Sequence, residues 1–277
     1  MAINYLDGKW IKDEELMISV FDLSVIRGYG IFDFLRTYNQ IPFRIADHID
    51  RFYNSAKLIG MTPIKSKSEI NEIVLEGIKK NDELAFEFNI KFIQTGGVST
   101  DGFTPNGNPG FIVLFSPTAV YPDELYQNGI KLKTVKLMRQ LPYAKTLSYV
   151  AGISEVQKAA KDGAVDILYT DSEGQIYEAT RSNFFAVKDN KLITADKDIL
   201  EGITRKVVLE IAHEADLEID FRCLKTIELA TISEAFITNS SQEIMPVTQI
   251  DKHIIGRGKC GAATNKLMNE FAKIKYK

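Results

Sequence analysis

Alternating apolar and polar residues predict strands in the first part of the chain. From Phe86 to Ile93 the apolar residues take every second position, which is typical of a strand buried on one face. The continuous apolar run at 111–115 predicts a fully buried strand. The segments on either side of Asp7-Gly8 predict a hairpin, because this dipeptide tolerates the positive φ angles of a tight turn.

An apolar period close to 3.6 residues predicts helices elsewhere. Residues 47–60 have an apolar face and begin at Asp47, which we expect to cap the helix. Further helices are predicted near 67–80, 149–161 and 204–215. The apolar face of the first helix consists of Ile49, Phe52, Ala56 and Ile59, and that of the last consists of Val207, Val208, Ile211, Ala212 and Ala215.

The second part of the chain mixes strands and helices without regular β-α-β alternation. We therefore expect an α/β (α+β) protein with two domains. Residues 1–117 would form a small N-terminal domain, 118–128 an interdomain linker and 129–277 a larger C-terminal domain. The Gly/Pro/Asn-rich loop at 96–110 is long for a compact domain, and such loops are often functional.

Composition narrows the classes of function. The formal net charge of -3 over 277 residues gives no strong attraction to nucleic acid or to an anionic membrane. The 2 cysteines and 3 histidines show no metal-ligand spacing, so no metal site is expected. The sequence has no signal-peptide pattern and no apolar run long enough to span a bilayer. We expect a cytoplasmic protein.

Residues 256–261 match GxGxxG, the fingerprint of dinucleotide-binding domains. The motif alone is weakly specific, and no β-α-β unit surrounds it here. A dinucleotide site is therefore not expected.

Three segments carry residues that suit chemistry. In YAKTLSY, Lys145 lies between a proline-bearing loop and an apolar helix. In YEATRSNFF, Glu178 leaves one strand and Asn183 enters the next, and in LEGITR, Gly202 opens an amphipathic helix. Taken singly, each has an ordinary structural explanation, since most charged residues are simply exposed.

Together, in this order and spacing, the three segments resemble the class IV aminotransferases. This family uses pyridoxal 5′-phosphate and includes branched-chain aminotransferases, D-amino-acid aminotransferases and aminodeoxychorismate lyase. The resemblance covers nearly the whole chain, and its Glu-x4-Asn-x-Phe and Gly-Ile-Thr-Arg elements are specific. Other matching segments are DLSVIRGYG at 22–30, HIDR at 48–51, and ITNSSQEIMP at 237–246. The resemblance implies that the larger domain is a pseudo-barrel.

The resemblance also implies roles for two residues in the chemistry. Lys145 matches the lysine that forms an imine with the cofactor aldehyde and, once displaced, moves a proton between substrate and cofactor. Glu178 matches the carboxylate that keeps the pyridine nitrogen protonated, which strengthens the electron sink.

The remaining cofactor contacts follow from the same resemblance. The phosphate would be bound by a cationic fork, by N–H groups at a helix start and by hydroxyls, which are supplied by Arg51, Ile203, Thr204 and Ser240. Leu200 matches the apolar residue under the pyridine ring. Tyr149 would reach the phenolic oxygen or be a core tyrosine, and Asn183 would tie the turn after Glu178 to the backbone.

For the contacts with the substrate, the sequence leaves several candidate residues open. Tyr29 and Phe32 would line the side-chain pocket, which favours apolar substrates. Loop 95–103 lacks the arginine and histidine of the D-amino-acid enzymes, and strand 86–93 lacks the tyrosine–arginine pair of the branched-chain enzymes. L and D substrates therefore both stay open. The candidates for the carboxylate contact are Arg27, Lys91, Arg181 and the turn at Ser240-Ser241, with a solvent-facing position as the alternative for Arg181.

The leading hypothesis is transamination between an amino acid and a 2-oxo acid such as 2-oxoglutarate, by a homodimer. Family members have active sites between their two domains, closed by a loop of the neighbouring subunit, and the turn at 27–30 would be that loop. One alternative is a lyase that releases pyruvate from aminodeoxychorismate, which Thr204 weakly disfavours. Another is a non-catalytic dimer, which the presence of Lys145 and Glu178 disfavours.

Overall fold

The computed structural model describes residues 1–276. The chain forms two compact units: the first contains residues 1–119 and 143–148, and the second contains residues 120–142 and the chain from 149 onward. Residues 118–128, predicted as a linker, include a short helix, and the chain returns to the first unit at 143–148. The domain bounds expected from the sequence stay a prediction.

The first unit is an antiparallel sheet with helices on it. Its six strands lie in the order β2-β1-β6-β5-β3-β4. The strands are β1 (Ile3–Leu6), β2 (Lys9–Lys12), β3 (Gly30–Tyr38), β4 (Ile41–Pro42), β5 (Phe88–Thr95) and β6 (Phe111–Pro117). The helices are α1 (Leu23–Ile26), α2 (Ile45–Leu58) and α3 (Lys67–Lys80).

One face of this sheet packs against α2 and α3. Phe52 of α2 meets Phe92 of β5 edge to face, with ring centroids 5.1 Å apart, and both rings are buried. Burial of one such ring contributes up to about 3 kcal/mol. Helix α3 approaches the sheet so closely that a Cβ on Gly77 would overlap the ring of Phe115.

Two details of the first unit differ from the sequence prediction. Helix α2 begins at Ile45, with Arg44 at its N-cap, so Asp47 lies in the first turn and the predicted cap is wrong. Strand β5 begins at Phe88, and Phe86, predicted to face the core, is 61% exposed. The hairpin β1–β2 and helix α3 are confirmed.

The second unit is larger and contains the remaining elements. Its strands are β7 (Ile130–Lys136), β8 (Asp166–Thr170), β9 (Gln175–Ala179), β10 (Asn183–Lys188), β11 (Lys191–Thr194), β12 (Glu218–Phe221), β13 (Leu224–Lys225), β14 (Glu234–Asn239), β15 (Glu243–Ile250) and β16 (His253–Ile254). Its helices are α4 (Asp123–Asn128), α5 (Val150–Ala160), α6 (Ile203–Ile211) and α7 (Ala262–Ile274). The predicted apolar face of 204–215 is buried, although the helix ends at Ile211 and continues as a 3-10 turn.

Six strands of the second unit close into a ring in the order β10-β14-β15-β7-β8-β9. The closing contact is the pairing of Asn183 on β10 with Glu178 on β9. The interior is apolar and includes Leu132, Leu168 and Met245. A closed ring leaves no unpaired edge among these strands. The pseudo-barrel expected for the larger domain is therefore confirmed.

The glycines of the GxGxxG segment have a packing role. A Cβ on Gly256 would overlap the Ser233 carbonyl, and one on Gly261 would overlap the Glu234 carboxylate. That carboxylate accepts hydrogen bonds from the backbone N–H groups of Ala263 and Thr264 and so caps α7. Gly261 makes room for this cap, and Gly256 makes room for the Ser233 carbonyl.

Within residues 1–276, each helix is too short or too polar to cross a membrane. The same residues contain no group of three or more His, Cys, Asp or Glu side chains that could hold a metal ion.

Candidate functional site

In the first unit, the segment that carries Lys145 lies alongside β3. Phe32 N–H donates to Lys145 O at 3.0 Å, and Leu147 N–H donates to Gly30 O at 3.0 Å. A side chain at Gly30 would be 2.6 Å from Leu147 Cδ1, so glycine permits this close approach. Lys145 N–H also donates to Ser55 Oγ on α2 at 3.0 Å. The backbone of Lys145 is therefore held by two elements.

The side chains of Lys145 and Lys91 meet the same aromatic ring. The Lys145 Nζ atom lies 4.5 Å from the centroid of Phe32, and the Lys91 Nζ atom lies 5.7 Å from it. In the β3–β5 register Phe34 is opposite Lys91, so Phe32 and Lys91 are diagonal neighbours on one sheet face. Three residues predicted from the sequence are thus brought together.

A buried ionic cluster lies on α2 and β3. Arg51 donates two hydrogen bonds to the Asp33 carboxylate, from Nε to Oδ2 at 2.9 Å and from Nη2 to Oδ1 at 2.8 Å. The Nδ1 atom of His48 is 2.7 Å from Asp33 Oδ1. The two-pronged contact predicted between Arg51 and a phosphate is made here to Asp33, and the phosphate contact stays a prediction.

The electrostatics of this cluster follow from burial and charge. Burial alone would raise the pKa of Asp33, but Arg51 and His48 outweigh it and hold that pKa well below its usual range. Burial lowers the pKa of His48 more than Asp33 raises it, so the imidazole is uncharged at neutral pH. Ser55 Oγ donates to Arg51 O at 2.9 Å and accepts from Lys145 N–H, which joins the cluster to the lysine segment.

Tyr29 and Arg27 lie at the start of β3. The Tyr29 hydroxyl donates to the Ile59 carbonyl at the end of α2 at 3.1 Å. Arg27 is exposed, and its Nη1 atom donates to the Ile26 carbonyl at 2.8 Å. The structure shows Arg27 as the C-cap of α1, and its substrate role stays a prediction.

In the second unit, the carboxylate of Glu178 is buried and held at both oxygens. Its Oε1 atom accepts from Arg139 Nη1 at 2.6 Å. Its Oε2 atom accepts from the Leu200 backbone N–H at 3.1 Å and from Asn183 Nδ2 at 3.3 Å. Asn183 Nδ2 also donates to the Leu200 carbonyl at 2.7 Å, so the structural role predicted for Asn183 is confirmed. Glu178 lies where the barrel closes.

Arg139 has no role in the sequence-based hypothesis. Its side chain is 16% exposed, and besides Glu178 its Nη1 atom donates to the Pro142 carbonyl at 3.1 Å. Burial would lower the pKa of the guanidinium, but the Glu178 carboxylate outweighs burial and raises it. The partners are 39 positions apart, so local periodicity gives no signal for this contact.

The N-terminus of α6 has the features that suit an anion. Gly202 is its N-cap and provides no side-chain cap, and Ile203 and Thr204 are buried in its first turn. The first N–H groups of a helix point out of its end and carry its positive dipole. A Cβ on Gly202 would overlap Asn183 Oδ1, so glycine brings this helix end beside Asn183.

The turn between β14 and β15 carries Ser240 and Ser241. The N–H of Ser241, proposed from the sequence as part of a carboxylate-binding turn, donates to Asn239 Oδ1 at 2.9 Å. The Ser241 hydroxyl lies 2.9 Å from the hydroxyl of Tyr121. Tyr121 is thus a second residue that the sequence hypothesis lacks, and 120 positions separate it from its partner.

Tyr149 and Arg181 occupy the ends of elements. Tyr149 is the half-buried N-cap of α5, and Arg181 is exposed in the turn between β9 and β10. Thr180, beside Arg181, is fixed by a hydrogen bond of 2.6 Å to the buried carboxylate of Asp166, whose pKa is raised by burial. The functional roles predicted for Tyr149 and Arg181 stay predictions.

Comparison with known proteins places this chain in a family. A sequence model of the class IV aminotransferases matches residues 30–250. A protein of Methanocaldococcus jannaschii assigned to the branched-chain-amino-acid aminotransferases is 33% identical, over 99% of this chain and 96% of that protein. D-alanine aminotransferase of Staphylococcus haemolyticus is 28% identical, over 97% of this chain and 96% of the relative.

The fold agrees with the sequence matches. The crystal structure of the T.th. branched-chain amino acid aminotransferase with pyridoxamine 5′-phosphate has a TM-score of 0.92 and 26% identity, over 99% of this chain and 94% of that one. The family resemblance and the fold class expected from the sequence are confirmed. The chain belongs to the class IV aminotransferases.

Proposed function

We propose that this chain transfers the amino group of an α-amino acid with an apolar side chain, branched-chain substrates included, to a 2-oxo acid such as 2-oxoglutarate. The observation that carries the proposal is the buried carboxylate of Glu178, which a cation and two N–H donors hold at a barrel closure. Similarity to relatives named for branched-chain amino acids and for D-alanine supports small apolar substrates of either configuration.

Pyridoxal 5′-phosphate is the cofactor, and it supplies an aldehyde and an electron sink. The residues of the chain fit this group by the chemistry of their donors. The start of α6, where Gly202 provides no side-chain cap, suits a phosphate. An ionised Glu178 suits a protonated pyridine nitrogen. We assign phosphate contacts to Arg51, Ile203, Thr204 and Ser240, and further cofactor contacts to Leu200 and Tyr149.

In this proposal the chain's own residues do three things. Lys145 would hold the cofactor aldehyde and would carry the proton at the substrate Cα. Phe32 restricts the lysine side chain, because its ring lies 4.5 Å from the Nζ atom. Glu178 keeps the pyridine nitrogen protonated, which stabilises negative charge developing at Cα.

We propose Lys91 as the first candidate for the substrate carboxylate. Its support is the Phe32 ring, which contacts both the Lys91 and Lys145 ammonium groups. A substrate whose Cα proton is moved by Lys145 would have its carboxylate near that lysine, so a second cation on the same ring suits the carboxylate. Arg27, Arg181 and Ser241 are the other candidates, and Tyr29 and Phe32 would line the side-chain pocket.

We also propose a homodimer. Loops 16–21 and 96–110 are joined by the adjacent bridge between Asp22 and Val98 and by the hydrogen bond from Ser99 N–H to the Phe21 carbonyl, and both loops carry exposed apolar side chains. We call this the apolar patch; it consists of Met17, Val20, Phe21, Val98 and Phe103. Exposed apolar side chains that lie together are typical of a protein–protein interface. The family resemblance implies a homodimer, so we propose a second copy of this chain as the partner. The turn at 27–30 adjoins the patch and would reach the neighbouring subunit's site.

The cytoplasmic location expected from the sequence stays a proposal.

A panel of L- and D-amino acids with 2-oxoglutarate tests this function. We expect conversion of the bound cofactor to its pyridoxamine form with at least one apolar amino acid of one configuration, because a transaminase works through half-reactions. No conversion with any amino acid, together with pyruvate release from aminodeoxychorismate, would instead identify a lyase.

A further inference from the structure

The guanidinium of Arg139 binds two groups of the second unit. It donates to Glu178 Oε1 at 2.6 Å and to the Pro142 carbonyl at 3.1 Å. Pro142 lies three positions before Lys145 in the sequence. One cation therefore fixes both the glutamate and the backbone at Pro142.

Arg139 supplies a counter-charge to the buried carboxylate of Glu178. Glu178 is 5% exposed as a side chain, and an ionised carboxylate at such a site is costly without a counter-charge. Two further partners, Asn183 Nδ2 and Leu200 N–H, are neutral and share Oε2. Arg139 holds Oε1 and, as an arginine, stays charged at every accessible pH.

We propose that Arg139 is a positioning residue that keeps Glu178 ionised and in one orientation, and thereby sets the protonation of the cofactor's pyridine nitrogen. The proposal rests on the proposed function, since it needs Glu178 to face that nitrogen. Arg139 acts through Glu178 and not on the substrate.

This role differs measurably from a purely structural one. Without the cation, Glu178 is a weaker acid and is free to rotate, so the nitrogen loses its fixed anionic partner. We expect Arg139→Met to weaken cofactor binding by about 10- to 100-fold, the range found when a partner behind a ligand-contacting residue is removed. We also expect the absorption spectrum of the bound cofactor to shift in the same direction as in Glu178→Gln.

A double-mutant cycle tests the proposal. Cofactor dissociation constants and absorption spectra across pH are measured for Arg139→Met, Glu178→Gln and the double variant, with unfolding of the cofactor-free protein measured in parallel. If Arg139 acts through Glu178, the double variant matches Glu178→Gln. Arg139→Lys, which restores a cation, should recover part of the spectrum, and Arg139→Gln serves if Arg139→Met fails to fold.

The matched control is Arg222→Met. Arg222 forms a two-pronged pair with Glu228 in the same unit, and neither residue belongs to the proposed site. We expect it to leave the cofactor spectrum unchanged. A wild-type spectrum in both Arg139→Met and Arg139→Gln would overturn this proposal but not the proposed function. The same holds if the losses of cofactor affinity in Arg139→Met and Glu178→Gln simply add in the double variant. Wild-type protein that takes up no cofactor would overturn the proposed function as well.

Discussion

At the scale of single residues, the ionisable groups of the two units are fixed by buried partners. Asp33 is shared by Arg51 and His48, and Glu178 is held by Arg139 and by neutral donors. Such pairs are poor sources of net stability, yet removing one member leaves a buried charge without compensation. Their loss should therefore be visible in both stability and cofactor binding.

The first prediction concerns the Asp33 cluster. Asp33→Asn should lower the free energy of unfolding by about 3–5 kcal/mol, because the buried charge of Arg51 loses its partner. The control is Asp50→Asn, which breaks an exposed pair with Lys67 and should cost less than about 1 kcal/mol. Urea denaturation measures both, and equal losses would contradict the account.

The second prediction is a pH dependence with a defined sign. The pKa of His48 is lowered in the folded state, so below about pH 6.5 the unfolded chain binds the proton more readily and the free energy of unfolding falls. The depressed pKa of Asp33 acts in the same direction below its unfolded value of 3.8. We measure the free energy of unfolding by denaturation between about pH 7.5 and pH 4.5. It should fall with decreasing pH in wild type, and this fall should be smaller in His48→Gln because the contribution of His48 is absent. An unchanged slope in His48→Gln would contradict it; exposed His213→Gln is the control.

At the scale of elements, glycines allow backbone segments to approach the proposed site closely. Gly30 brings β3 against Leu147, and Gly202 brings the start of α6 against Asn183. Gly202 has φ -69, a conformation that alanine adopts readily, so only the lack of space requires glycine there. The start of α6, which we propose as the phosphate site, therefore packs against the residue that also binds Glu178.

The third prediction uses this coupling. Gly202→Ala should weaken cofactor binding at least 10-fold, since the added methyl group displaces the helix start or Asn183. Gly77→Ala makes an equally severe overlap with Phe115 and is the matched control, because neither Gly77 nor Phe115 is a predicted cofactor contact. Both variants should unfold more easily, but only Gly202→Ala should lose affinity in a fluorescence titration with pyridoxal phosphate. Equal affinities would exclude α6 as the phosphate site.

At the scale of the whole molecule, the sequence predicts local elements well and long-range closure poorly. Periodicity locates α3, α5 and α6, and the Asp7-Gly8 turn locates the hairpin β1–β2, because each depends on neighbours within a few positions. It finds Glu178 and Lys145 only through their resemblance to a family. Periodicity gives no signal for Arg139, Asp33 and Tyr121, because their partners are brought near by barrel closure or sheet packing.

The fourth prediction concerns assembly. Phe21→Asp combined with Phe103→Asp should halve the mass measured by light scattering, since charges in the apolar patch disfavour its burial against a second copy. Ile227→Asp, an isolated exposed apolar position in the second unit, is the control and should leave the mass unchanged. A monomeric wild-type protein would contradict the homodimer.

The most direct test of the central claim is a single-turnover measurement on Lys145. Wild type loaded with pyridoxal phosphate is mixed with the best amino acid of the panel, and conversion to the pyridoxamine form is followed by absorbance. We expect full conversion in wild type and, in Lys145→Ala, bound cofactor that converts at least about 10³-fold more slowly, because a proton carrier is lost. Conversion by Lys145→Ala at the wild-type rate would contradict the account.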